Sequence, residues 1–294
     1  MTSPDPTAPD ATGQRQPSDV ELGRRAVRRR QGIRSVIVSV FSTIVFAVLV
    51  WLFVVNTPGW ARVQQSFFDP QTAIAALPRI AAGFLVNLRV LLFAAVGVLV
   101  FSLLLAMLRT LRGAVFFPVR ALVAGYTDLF RGLPLIIVLY LVGFGIPGLR
   151  LTEQRIPFET LGTIALVLTY SAYVSEVWRA GIEAVHPSQV LAARSLGLSH
   201  GKTLQLVVLP QAVRKVTPAL MNDFIAMQKD VGLISVLGAI DAVRAAQIET
   251  STFANFTPYV VAGLLFVLLA IPTIRLADWY SARLRAREQV GPLL

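Results

Sequence analysis

Acid and base recur three residues apart at two places, Asp128 with Arg131 and Glu176 with Arg179. On a helix that spacing puts both groups on one face, where they can pair. Lys229 and Asp230 are adjacent, so they point in different directions. All six lie in or beside apolar runs. Ionisable groups at such positions are expensive and default to a functional role, as part of a polar pathway. The plain alternative is internal ion pairs that lock helices together, or for Glu176 and Arg179 a position at the headgroups. Directly after Arg131, Gly132 and Pro134 interrupt the apolar pattern. A proline has no N–H for the helical ladder, and a broken helix survives in a membrane only where it faces protein or a wet cavity. Residues 130–135 are therefore the best candidate for a pathway-lining element. Asn222 and Lys229 extend that candidate set into a later run.

A second stretch, GLSHGKT at 197–203, looks like a phosphate-binding loop. Such a loop places four residues between its glycines, follows a strand and opens a helix. Here three residues separate Gly197 from Gly201, and the preceding HPSQVLAARSL has an alanine-rich helical pattern. The residues fit a helix stop and a helix start better. Pro187 suits a first helical turn. Gln189, Leu191, Ala192, Ala193 and Arg194 continue it. Gly197 supplies a left-handed cap with Leu198 as the apolar residue after it. Ser199 caps the next helix. The expectation is a short helix at 187–197 lying across one face of the protein, its alanines permitting close approach of another surface.

The elements around these residues are membrane elements. Of 294 residues, 55% are hydrophobic and 15% charged, and the mean hydropathy is +0.67. A soluble domain of this length carries more charge. Spans are expected at 36–55, 82–108, 115–145, 158–180, 203–230 and 258–280, where apolar runs approach or exceed the ~20 residues that cross a bilayer. This is an all-α integral membrane protein of about six transmembrane helices. Residues 1–35 read as a disordered basic tail. Arg24, Arg25, Arg28, Arg29, Arg30 and Arg34 precede the first span, and Arg109, Arg112, Arg120, Arg179, Arg194 and Lys202 fall in turns on the same side, as do Arg283, Arg285 and Arg287. That bias puts both termini in the cytoplasm, and it accounts for the net charge of +11 without nucleic acid. The outward segments are 56–81, 146–157 and 231–257; within the last, IDAVRAAQIET fits a helix at the outer interface. Trp51, Trp60, Trp178 and Trp279 fit an interfacial aromatic belt. Cysteine is absent, so no thiolate site exists. The two histidines, His186 and His200, flank the short helix as surface residues. No metal, cofactor or catalytic constellation is legible.

QVLAARSLG, nine residues, then VVLP resembles the cytoplasmic-loop motif of permease subunits of ATP-binding-cassette importers, with Ala192, Ala193, Gly197, Val207, Leu209 and Pro210 at its positions. Three further stretches are similar to the polar amino acid importer group: DLFRGLPLIIVLY (128–140), YVSEVWRAGIEAVHPSQ (173–189) and LPQAVRKVTPALMNDFIAMQKDVGLISVLG (209–238). The resemblance covers about 82–287, a five-helix core to which 36–55 is an added span. It implies that 187–197 is a coupling helix docking on a separate ATPase subunit, which holds ATP and magnesium. It also implies a second permease copy or a paralogous one, an extracytoplasmic solute-binding protein, an amino acid substrate, and a place in the bacterial cytoplasmic membrane. Leu191 stands where the motif has Glu, Leu133 where the group has Thr, Val138 where it has Gln, and Val231–Gly232 where it has Thr–Ser. These changes are expected to remove polar groups near the pathway, as in the divergent half of a heterodimer.

Two other classes have requirements of their own. An ion-coupled secondary transporter uses intramembrane carboxylates, commonly within inverted repeats, and no repeat is visible. An intramembrane enzyme needs convergent catalytic groups inside the spans.

Overall fold

The computed structural model describes residues 19–111, 113–150 and 154–289. The chain divides into a unit ending at Gln64 and a unit beginning at Gln65.

The first unit is dominated by α1 (Asp19–Val55). Of the expected tail, 1–18 lies outside the described residues, and 19–35 is helix. That segment contains no proline and is rich in Arg, a good helix former. Once the apolar run is helical, extension outward adds a hydrogen bond for each residue fixed. The apolar part, Gln31–Val55, is 25 residues long and can cross a bilayer. Phe41, Phe46 and Phe53 are exposed along it, as suits lipid.

Helix α2 (Trp60–Phe67) leads to α3 (Pro70–Arg109). Asp69 starts α3 by accepting the N–H groups of Gln71 and Thr72, with Pro70 in the first turn. The helix thus begins well before the expected 82, and 56–81 is largely helical rather than an open outer segment. Its 40 residues span about 60 Å, twice the apolar thickness of a bilayer. Arg89 and Arg109 bracket an uncharged stretch of about 30 Å, so the N-terminal half projects beyond the membrane. The buried stripe Ala76, Ile80, Gly83, Asn87, Val90, Ala94, Val98, Ser102 and Leu105 advances by threes and fours, which keeps one face toward its partners.

The main partner is α7 (Phe158–Glu183), which contributes Leu161, Ala165, Leu166, Tyr170, Val174 and Trp178 to the same core. Small residues set the separations. A Cβ on Gly97 would fall 2.7 Å from Val167, so the two helices pack closely through it. Trp178 is buried and belongs to this core, not to an interfacial belt; the close approach of α3 carries that end of α7 inside the protein.

Between them run α4 (Phe117–Gly132), α5 (Leu135–Tyr140), a π turn at Leu141–Gly145 and α6 (Ile146–Gly148). The expected single span 115–145 is two limbs bent by 107°. Leu133 is extended (φ −90°, ψ 132°), as the residue before a proline prefers. After α7 come α8 (Pro187–Ser195), α9 (His200–Thr203), a π turn at Leu204–Val208 and α10 (Leu209–Asp230). A 3₁₀ segment (Val231–Leu237), α11 (Ala242–Phe253) and α12 (Thr257–Gln289) complete the chain. Each π turn ends two residues before a proline, Pro147 or Pro210. A widened turn relieves the clash of the ring with the carbonyl four residues back. Pro218, by contrast, lies inside an unbroken α10.

Among the described residues, four helices are long and apolar enough to cross a membrane, and up to six spans result if each bent pair counts as one. Helix α11 exists as the outward segment implied, but it is packed in. Ala242, Ala245 and Ala246 bury against Ala76 and Ile80 of α3. Val138 and Val231 lie in the main core. Their apolar character therefore fills the interior and does not strip polar groups from a surface pathway.

Candidate functional site

Helix α8 is built by its ends. His186 Nδ1 accepts the N–H of Ser188 at 3.2 Å, and Pro187 fills the first turn. At the other end Gly197 has φ +83°. Its N–H reaches Arg194 O at 3.0 Å, and Leu198 N–H reaches Ala193 O at 3.2 Å. These two bonds form a Schellman ending, which a left-handed glycine makes possible. Ser199 then caps α9 by accepting the N–H of Lys202. The phosphate-loop lookalike is this stop and start, with α8 before it where a nucleotide loop needs a strand. Leu191 and Leu196 are 66% and 83% exposed, and Gln189, Ala192 and Arg194 are exposed beside them, while Ala193 turns inward. Leu198 is half-buried. Pro210 follows the π turn that joins α9 to α10.

Behind α8 lies a cleft of about 1290 Å³, lined by Arg109, Arg120, Arg179, Arg194, Phe117 and Leu191 among others. Its wall is braced by a chain of ions. Glu176 accepts from Arg109 of α3 and, at 2.9 Å, from Arg179; Arg179 also pairs with Glu183 at 2.7 Å. The expected Glu176–Arg179 pair exists, and Arg109 joins it across helices. Glu176 is thereby engaged by two guanidinium groups as a brace between α3 and α7.

The other expected pair does not form: among the described residues no salt bridge joins Asp128 to Arg131. Arg131 lies at the helix break, and its guanidinium sits 5.9 Å from the centre of the Tyr173 ring. Tyr173 Oη donates to Arg131 O at 3.0 Å. One turn earlier, Tyr170 Oη donates to Asp230 Oδ2 at 2.7 Å. These two tyrosines of α7 tie the break in α4 and the end of α10 to one stretch of α7, so Arg131, Gly132, Pro134 and the Lys229–Asp230 pair converge there. Asp128, Arg131, Gly132 and Pro134 are exposed. On α10, Lys215, Ala219, Asn222 and Lys229 are exposed too, at steps of four, three and seven. That spacing makes one stripe along the helix. A stripe with two ammonium groups and an amide is costly against lipid, and such residues face a bundle interior or a watery space.

Two buried features were missed in the sequence reading. Asn87 donates to Asp241 Oδ2 at 2.9 Å and to Val231 O at 3.2 Å, and accepts from Ala242 N–H at 3.0 Å. Asp241 Oδ1 in turn accepts from Arg244 N–H at 2.8 Å, capping α11. Both side chains are fully buried. Gly83 permits this contact, since a Cβ there would fall 2.5 Å from the Asp241 carbonyl. Nearby, buried Glu249 pairs with Arg79 at 2.7 Å. The available signal was an amide inside a long apolar run.

A helical membrane bundle with two bent helix pairs, a polar stripe on α10, and a capped surface helix at its basic end suits the membrane subunit of a transport system. The chain belongs to the family of binding-protein-dependent transport system inner membrane components, whose model matches residues 99–286. It is accordingly a multi-pass inner-membrane protein. It is 32% identical over 204 residues to the arginine transport system permease protein ArtQ of Bacillus subtilis, covering 69% of this chain and 91% of that protein. It is also 32% identical over 193 residues to the probable glutamine ABC transporter permease protein GlnM of the same organism, covering 65% and 86%. A crystal structure of an amino acid ABC transporter with histidines matches with a TM-score of 0.65 and 31% identity, over 73% of this chain and 98% of the other. An inward-facing MetNI methionine ABC transporter shares the fold, with a TM-score of 0.54 at 18% identity over 71% and 96% of the two chains.

Proposed function

We propose that this chain is the permease half of an ATP-driven importer of an amino acid, working with a separate ATPase subunit that supplies nucleotide and magnesium. The observation that carries the reading is α8, a capped helix at the basic end of the bundle whose leucines, Leu191 and Leu196, stand exposed. Exposed leucines on a rigid helix suit insertion into a groove on another protein. In this reading both termini are cytoplasmic, as the arginine bias favours. The stripe Lys215–Asn222–Lys229 faces a second permease, identical or paralogous, and the solute path runs between the two. Arg131 and Lys229 offer positive charge, and Asp128 and Asp230 negative charge, to a zwitterionic solute. A solute-binding protein delivers at the projecting end of α3 and at α11. The chain itself carries out no hydrolysis. Leu191 in place of a carboxylate gives the docking helix an apolar contact instead of a polar one. The substrate class follows the relatives, which are named as arginine and glutamine permeases.

The test is transport in vesicles containing the chain, its ATPase and any paired permease, with binding protein outside. Uptake of labelled amino acid is expected to need internal ATP and to persist when ion gradients are collapsed. Uptake driven by an ion gradient without ATP would point to a secondary transporter and sink the reading.

A further inference from the structure

We propose that the cleft behind α8 is a seat for one anionic phospholipid, with its headgroup on the arginine rim and an acyl chain along the floor. The two halves of the cleft differ in chemistry. Its floor is apolar, from Phe117, Ala121 and Ala124 of α4 to Ile182 of α7. Its rim carries Arg120 and Arg194. Arg109 and Arg179 already share carboxylates. Arg120 and Arg194 do not: Arg120 donates to the carbonyls of Leu111 and Gly113, and Arg194 to that of Leu198. Among the described residues neither has an acidic partner. Each guanidinium presents five N–H groups, so these bonds fix the side chains in place and leave charge and donors for a phosphate. Small anions need no apolar floor, and an unbroken apolar partner needs no uncompensated arginines; a charged headgroup with a hydrocarbon tail needs both. Phe117 of the floor is 64% exposed, and Leu122, next to the floor residue Ala121, is 75% exposed, so the α4 side of the cleft is open to the hydrocarbon of the inner leaflet. Basic pockets between membrane helices on the cytoplasmic side take acidic headgroups in this way. Since Leu191 and Arg194 of α8 form part of the wall, a seated lipid braces that helix from behind.

The test uses the full-length protein, and its readouts need neither ATP nor substrate, so it stands apart from the importer reading. Protein purified from membranes is exchanged into bilayer discs of phosphatidylglycerol or of phosphatidylcholine, then released and examined by native mass spectrometry. Phosphatidylglycerol is expected to remain bound and phosphatidylcholine to wash off. The double variant Arg120→Gln, Arg194→Gln is expected to hold phosphatidylglycerol roughly tenfold more weakly, at the cost of two headgroup contacts. Ala121→Trp fills the floor without changing charge, and is expected to lose the lipid as well. Hydrogen exchange across 187–197 is expected to be slower in phosphatidylglycerol than in phosphatidylcholine. Equal retention of both lipids, or unchanged retention in both variants, would overturn the proposal. So would displacement of the lipid by millimolar inorganic phosphate, which would mark a free-anion site.

Discussion

Tyr173 Oη sits 3.0 Å from the backbone oxygen of Arg131 and donates to it, so a side chain of α7 completes the backbone of α4 where Pro134 has stopped it. The last carbonyls of any helix lack partners, and at membrane depth an unpaired one costs several kcal/mol. Tyr173→Phe removes the donor and keeps the ring beneath the Arg131 guanidinium. Interhelical hydrogen bonds in membranes contribute about 0.6–1.7 kcal/mol, so a loss of about 1 kcal/mol is expected, read as a fall of a few degrees in unfolding temperature in detergent. Uptake should fall more steeply than stability, because the break is held by this bond. A variant with unaltered melting and uptake would show that water already satisfies the carbonyl.

Glu176 serves two arginines, Arg109 of the neighbouring α3 and Arg179 of its own helix, and the three side chains are 16–34% exposed. Removing one partner of a buried pair costs about 3–5 kcal/mol; partial exposure lowers that figure here. Glu176→Gln is expected to destabilise the bundle by about 1–3 kcal/mol, more than Glu183→Gln, whose carboxylate is 63% exposed. A double-mutant cycle of Glu176→Gln with Arg109→Gln checks the assignment: the coupling should exceed that between Arg179 and Glu183.

The sequence was most legible where one turn of chain decides the outcome. Pro187, Gly197 and Ser199 specify the ends of α8 locally, and the observed caps follow those residues. Pro134 marked the broken span for the same reason. Legibility failed where a partner distant in sequence decides. Asp128 and Arg131 have the right spacing for a pair, yet Tyr173, 42 residues away, holds the Arg131 segment. Trp178 has the position of an interfacial aromatic, but its helix is drawn in by α3. The start of α3 was missed because Pro78 and Arg79 interrupt the apolar run after Pro70, yet the helix continues through them where Ala76 and Ile80 pack against α11. Asn87 and Asp241, 154 residues apart, gave no joint signal.

Gly197 holds the left-handed residue of the α8 ending, and nothing lies within 4 Å of where its Cβ would be. The backbone alone therefore sets the effect of substitution. Gly197→Val puts a β-branched residue at φ +83°, which costs roughly 1–2 kcal/mol or more and re-aims the chain into α9. Gly197→Asn tolerates that region better and serves as the control. If α8 carries force from an ATPase, the valine variant should hydrolyse ATP with several-fold less uptake per ATP, while the asparagine variant keeps most of its coupling. Equal uptake per ATP in all three folded proteins would separate the shape of α8 from transport.

The Asn87–Asp241 contact fixes α11 against the projecting half of α3 through hydrogen bonds that each satisfy a buried group. Because the pair is fully buried, breaking one side strands the other. Asn87→Leu leaves the Asp241 carboxylate and the Ala242 N–H short of partners, each omission costing about 1–3 kcal/mol. The expected loss is larger than for Tyr173→Phe, and it should be local as well as global. Hydrogen exchange across 238–253 is expected to speed up, with 187–197 unchanged, since the two segments lie at opposite ends of the bundle. Gly83→Ala probes the same contact from the packing side: its Cβ would sit 2.5 Å from the Asp241 backbone, so α11 must shift to admit it. Both variants should loosen the same residues. Faster exchange spread evenly over the bundle would instead make the contact an ordinary part of the core rather than the anchor of the outer end.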